Sequence, residues 1–210
     1  PKMLHNVPIS MSLADNIAVG LYGEKSATEN FLKALILQMI SLHSYDELKI
    51  MIIVDEDSER DWEFTKYIPH FWTEDKKVRF FASNCDEVKE LSSFLEKNVI
   101  IRQDSINRNH LEFSPYYVLV YTNNKLSKKC EALFKMLKNN GKIGFSALFI
   151  GENFNDFPKE TKTVIHVNGK NTKLFDKDDT SGAQVVFDAE YSTNENFSRI
   201  SQKIANIELD

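Results

Sequence analysis

The stretch Gly20-Leu21-Tyr22-Gly23-Glu24-Lys25-Ser26 comes closest to a recognisable chemistry. A loop that cradles nucleotide phosphates reads Gly-x-x-x-x-Gly-Lys-Ser/Thr. Its glycines turn backbone amides inward, its lysine meets the outer phosphates and its hydroxyl holds magnesium. Lys25-Ser26 supplies the last two positions, but Val19 and Glu24 stand where that spacing demands glycine. A carboxylate ~5 Å from a phosphate, at an effective dielectric of ~20, costs about 3 kcal/mol, roughly two decades in affinity. The loop is therefore read as degenerate. Gly20 and Gly23 form a turn, Ser26 caps the next helix with Glu29 completing a capping box, and Lys25 is solvated.

The other half of an ATPase site departs in the same direction. It needs an apolar strand closing in Asp or Asp-Glu to hold magnesium or position water. The candidate strand Tyr117-Val118-Leu119-Val120 closes in Tyr121-Thr122, with no carboxylate. Asp55-Glu56-Asp57 follows an earlier strand and reads as a solvated loop. No catalytic residue, metal or bound cofactor is expected. Because Lys25-Ser26 is intact, weak ATP–magnesium binding stays open as the alternative, as does an active NTPase using an acid such as Asp55.

The remaining reactive side chains form no site. The five histidines are scattered without ligand spacing, and Cys85 and Cys130 are too few and too distant for a disulfide framework or a zinc knuckle. Trp62 and Phe64, followed by His70, Phe71 and Trp72, form an aromatic group that either packs beneath a loop or presents a docking surface. A net charge of −5 and the lack of a basic stripe weigh against nucleic acid as a partner.

The elements that must position these residues are legible from period and punctuation. With 42% apolar and 27% charged residues, and only seven Gly and five Pro, the 210-residue chain reads as one globular domain without long linkers. Its longest apolar run, Tyr116–Tyr121, is too short to cross a bilayer. A first strand enters Gly20–Gly23, and a helix from about Ser26 to Leu42 is apolar on more than one face. Lys49–Val54, Val78–Ala82, Tyr116–Tyr121 and Ser146–Ile150 read as strands, several continuously apolar as in a parallel sheet buried on both faces. A short helix is expected at Asp61–Tyr67, and Ser83 or Asn84 caps a further helix whose Val88, Leu91 and Leu95 fall on one stripe. Another carries Leu126, Cys130, Leu133, Phe134 and Leu137 to a stop at Asn139-Asn140-Gly141. Beyond Pro158, Thr163–Val167 and a strand near Thr172–Phe175 flank Asn168-Gly169, a hairpin signal. Ala183–Phe187 adds an edge strand, and Asn194–Ile207 a closing helix. The expectation is a three-layer α/β sandwich on a mostly parallel sheet, with residues 151–190 as an antiparallel extension.

Two stretches carry a family resemblance. Ala34-Leu35-Ile36-Leu37-Gln38-Met39-Ile40-Ser41-Leu42-His43-Ser44-Tyr45-Asp46-Glu47-Leu48-Lys49-Ile50 resembles a segment of the type VII secretion membrane ATPases, the EssC/EccC family. Asp61-Trp62-Glu63-Phe64-Thr65-Lys66-Tyr67-Ile68-Pro69-His70 is similar to that family's Trp-rich Pro-His signature, with Phe64 where a second Trp often stands. The resemblance points to the module between the transmembrane helices and the first FtsK/SpoIIIE-type ATPase module. It implies a P-loop NTPase-like (Rossmann-like) fold without complete nucleotide motifs, excised from a longer multidomain membrane protein. It further implies a place on the cytoplasmic face of the bacterial membrane in a hexameric motor. The implied partners are adjacent ATPase modules, neighbouring subunits and other membrane components of the system. Secreted WXG-type substrates are not expected to be touched directly. A DNA-translocating module of the FtsK type is the alternative from another class.

Overall fold

The computed structural model describes residues 8–107, 113–122, 124–138 and 143–205. Eight strands lie in one sheet: β1 (Ala18–Gly23), β2 (Leu48–Ile53), β3 (Phe81–Ala82), β4 (Tyr116–Tyr121), β5 (Phe145–Gly151), β6 (Thr163–Val167), β7 (Thr172–Asp176) and β8 (Gln184–Phe187). Their order is β3-β2-β4-β5-β1-β6-β7-β8. Every pairing from β3 to β6 is parallel, and β7 and β8 add antiparallel.

Side-chain alternation splits the strands between two cores. Val19, Leu21, Ile50, Ile52, Val118, Val120 and Leu148 face one layer, made of α1 (Lys25–Leu42), the 3₁₀ segments Glu56–Tyr67 and Pro69–Phe71, and α5 (Asn194–Ile204). Ala18, Met51, Ile53, Leu119, Ala147 and Phe149 face the other, made of α2 (Cys85–Asn107), α3 (Asn124–Ser127) and α4 (Glu131–Lys138). Two registered pairs on this second face stack their rings: Tyr117 on Phe145 at 5.1 Å and Tyr121 on Phe149 at 5.2 Å. Sheet and helices on both faces make the expected α/β sandwich. Among the described residues no helix is long and apolar enough to cross a membrane.

Several local expectations change. The antiparallel extension begins only at β7, because β6 lies parallel beside β1, reached by the crossover 152–162. The hairpin at Asn168-Gly169 is wider than two residues: Gly169–Asn171 forms a 3₁₀ turn, with Asn168 N–H bonded to Thr172 Oγ1 at 3.0 Å. The helix expected through Leu126 and Leu137 is two pieces. A turn from Lys129 N to Leu126 O, 3.0 Å, re-aims the chain so that both Leu126 and Cys130 reach the core. Its expected stop at Asn139-Asn140-Gly141 lies outside the described residues, as does the expected end of the closing helix at Ile207; the helix itself runs Asn194–Ile204 with Ala205 as its C-cap. Glu56 and Asp57, read as loop, open the 3₁₀ segment.

Candidate functional site

Open α/β sheets bind ligands at the carboxyl ends of their parallel strands, which brings Gly23–Ser26, Asp55 and Tyr121-Thr122 to the candidate edge. No loop separates β1 from α1. Gly20 to Gly23 are strand residues rather than a turn, and Glu24 alone links strand to helix. Each glycine has a packing reason. A Cβ on Gly20 would lie 2.7 Å from the Phe157 ring, which the crossover lays across β1. Gly23 has φ +152°, and a Cβ there would lie 2.5 Å from the Val167 carbonyl oxygen.

Glu24, not Ser26, is the helix cap. Its Oε1 accepts from Ser26 N–H at 3.1 Å. Its Oε2 accepts from Ala27 N–H at 2.9 Å and from the Ser26 hydroxyl at 2.7 Å. The Glu24 carbonyl oxygen accepts from both Thr28 N–H and Thr28 Oγ1 at 2.9 Å. The Ser26 hydroxyl and these amides hold the Glu24 carboxyl below its ordinary pKa, so the group is anionic. A longer acidic side chain thereby outcompetes the serine expected to cap. Its charge sits on the donors that a phosphate takes at a helix N-terminus. Lys25 is exposed and Glu29 partly buried, with burial pushing the Glu29 carboxyl upward.

The acid-free strand end is occupied by structure. The Tyr121 ring is fully buried, its hydroxyl pushed well above the usual tyrosine range by burial beside Cys130. Thr122 ties β4 to β2, its N–H bonded to Ile53 O at 2.9 Å and its hydroxyl at 3.3 Å. Asp55 follows β2, and β4 and β5 stand between that strand and β1. Among the described residues no group of three or more His, Cys, Asp or Glu could hold a metal ion.

The aromatic group resolves as packing. Trp62, Phe64, His70 and Phe71 are buried, so they offer no outward face; Trp72 keeps part of its surface, its indole N–H bonded to Lys66 O at 3.1 Å. Phe64 meets Phe197 of α5 at 4.0 Å between ring centres, which draws the last helix onto the 3₁₀ segment. Over the Trp62 ring, at 5.0 Å, lies the ammonium of Lys33, a lysine only 2% exposed. Burial lowers its pKa, and Glu29 and Asp61 oppose that shift.

The contacts that sequence reasoning missed run between remote segments. His70 Nε2 bonds the His43 carbonyl at 2.9 Å, and Lys49 Nζ donates to Pro69 O at 3.2 Å. The two stretches carrying the resemblance thus dock on each other. The sole available signal was the co-occurrence of Leu42-His43 and Pro69-His70. On the opposite, amino edge of the sheet lies an open cleft of about 300 Å³ lined by Lys49, Glu74, Phe80, Phe94 and Tyr117. It lies at the wrong end for the nucleotide position of this architecture.

By sequence the chain is similar to secretion system proteins, and by fold to ATPases and NTPases. No family model matches the chain. It is 26% identical over 164 residues to the ESX secretion system protein YukB of Bacillus subtilis, covering 78% of this chain and 11% of that protein. It is 23% identical over 207 residues to the ESX secretion system protein EccC of Geobacillus thermodenitrificans, covering 97% of this chain and 14% of that protein. The chain therefore spans only a small part of the length of these relatives. A solved structure of EssC ATPases 2 and 3 from Geobacillus thermodenitrificans superimposes with TM-score 0.69 at 10% identity, over 91% of this chain and 44% of the other. The genome-packaging NTPase B204 of Sulfolobus turreted icosahedral virus 2 superimposes with TM-score 0.52 at 12% identity, over 85% and 98%. These structural likenesses establish a P-loop NTPase-like fold. The chain is a homologue of the EssC/EccC type VII secretion proteins.

Proposed function

We propose that this chain is a nucleotide-silent, ATPase-like module of a type VII secretion motor. It links a membrane anchor to active ATPase modules on the cytoplasmic face and supports their assembly or regulation. Its partners in this reading are adjacent modules of the same chain, neighbouring subunits of a hexamer and other membrane components of the system. Secreted substrates are not contacted directly, nucleic acid is not a partner, and no cofactor is held.

The observation that supports the reading is the Glu24 carboxylate on Ser26 N–H, Ala27 N–H and the Ser26 hydroxyl. A triphosphate entering here must displace that anion and separate a strand from a helix joined by one residue. Relay of force suits such a joint better than cycling of a ligand. The docking work then falls to surfaces other than Trp62, Phe64, His70 and Phe71, which the fold consumes internally.

Calorimetric titration of ATP–magnesium into the chain, beside Lys25→Ala, tests the silent site. The expected result is no saturable heat from either protein. Saturation at low ligand concentration that vanishes in Lys25→Ala would overturn it. The motor reading is tested separately by deleting the segment from the full-length protein: secretion should stop while the downstream modules still hydrolyse ATP or change rate.

A further inference from the structure

We propose that the outer edge of β8 takes up an extended peptide of a partner, apolar at its centre and flanked by lysine or arginine, as a ninth strand. This goes beyond the nucleotide-silent reading and does not depend on it.

Among the described residues, β8 closes the sheet and has β7 on one side only. An edge strand presents a row of main-chain donors and acceptors, and proteins ordinarily blunt such edges with Lys, Pro or a bulge. Gln184-Val185-Val186-Phe187 carries neither Lys nor Pro, and its four positions pair in unbroken register with Phe175 to Thr172. Val185 is 44% exposed and Val186 50%. These neighbours point to opposite faces, so apolar surface flanks the edge above and below. An added strand with alternating apolar side chains would cover both.

Charge selects the occupant. The chain entering β8 carries exposed Asp178 and Asp179, just after Asp176 at the end of β7, and the chain leaving it carries exposed Asp188 and Glu190. Lys177 is the one base within these two flanks. In an antiparallel pair of identical β8 edges, the entering end of one copy meets the leaving end of the other, acid against acid. A second copy is thus disfavoured, and a segment with basic flanks meets complementary charge at both ends.

The test uses the isotopically labelled 210-residue chain and a blocked peptide of alternating Val and Thr between paired lysines. Saturable shifts are expected in the backbone resonances of residues 184–187, with slowed amide exchange there. The same peptide with glutamates for lysines should bind about tenfold more weakly at low salt, the difference shrinking as salt is added. A peptide with proline at its centre should not bind. Val186→Lys should abolish the shifts while leaving the remaining spectrum unchanged. If that variant does not fold, the basic-against-acidic comparison on the unaltered chain decides alone. Equal affinity for both peptides, shifts confined to other surfaces, or no saturation at millimolar peptide overturns the proposal. Self-association of the chain through residues 184–187, without peptide, overturns it in favour of a second copy.

Discussion

The imidazole of His70 and the main chain of His43, 27 positions apart, meet across 2.9 Å in a bond from ring Nε2 to carbonyl oxygen. The proton is therefore on Nε2, and the buried Nδ1 has no partner among the described residues. Burial is the main cause that lowers the His70 pKa, and the Lys49 ammonium adds to it. A neutral imidazole in the fold and an ordinary one in the unfolded chain set the sign. Below pH 6.5, the unfolded value, the unfolded state binds the extra proton. Stability from this group is thus complete above that pH and declines as pH falls toward the lower folded value. Urea titrations at pH 7.5 and pH 5.5 should show the loss, and His70→Gln should remove this part of the pH slope.

Gly20 and Phe157 occupy one volume. Gly20→Val inserts atoms where the ring stands 2.7 Å from an ideal Cβ. Overpacking of this kind costs about 1–3 kcal/mol, and the unfolding midpoint in urea should fall accordingly. Phe157→Leu in the same chain should return part of the loss, a coupling of roughly 0.5–3 kcal/mol in a double-mutant cycle. Strictly additive losses would show that the two positions do not share space.

Glu24→Ala should lower the thermal midpoint, because Ser26 and Ala27 amides lose their acceptor. Glu24→Asp places a shorter carboxylate at the cap and should recover stability better than Glu24→Gln. Removing the charge should not create a nucleotide site, since Gly23 and Lys25 still lie in a strand and a helix joined by one residue. Fluorescence titration with a labelled ATP analogue checks this directly.

Arg102 holds the amino ends of β4 and β5 together from α2. One guanidinium nitrogen donates to Ile143 O at 2.9 Å and Gly144 O at 3.0 Å, and the other to Pro115 O. The group lies 4.8 Å from the centre of Tyr117 and 4.7 Å from that of Phe145, and burial pulls its pKa down to about 10. A bond to a charged donor contributes roughly 1.5–3 kcal/mol, so Arg102→Met, which strands three carbonyls, should destabilise by at least that amount. Arg102→Lys should recover little, because one ammonium cannot span the three acceptors or lie flat on the rings. Chemical denaturation of both variants measures the effect.

Which parts were legible in the sequence follows from how local their causes are. Tyr116–Tyr121 is bounded as read, since six apolar residues in a strand buried on both faces need no partner to be recognised. Val88, Leu91 and Leu95 form the buried stripe of α2 that their spacing implied, with Asn84 Oδ1 accepting from Asp86 and Glu87 amides. The sequence misled at Gly20–Gly23, where two glycines close to a Lys-Ser pair suggested a turn. What requires them is Phe157 and Val167, more than a hundred residues away, and no local pattern carries that. Trp62 and Phe64 were ambiguous for the same reason: Phe197, which covers Phe64, arrives from the far end of the chain. The acidic cap is local as well, yet beside Lys25-Ser26 the Glu24 charge reads first as one facing a phosphate and only in the fold as the cap of its own helix.

The single-residue joint between β1 and α1 has a mechanical corollary. Nothing there can take up slack: Gly23 is pressed on Val167 and Glu24 is pinned by its own carboxylate, so the helix cannot slide or swing without unzipping the middle of the sheet. In the function proposed above, a load applied to the outer side of α1 would pass into β1 and on to β5 and β6, its neighbours on either hand. The segment would then serve as a strut, where a moving nucleotide loop would make it a hinge.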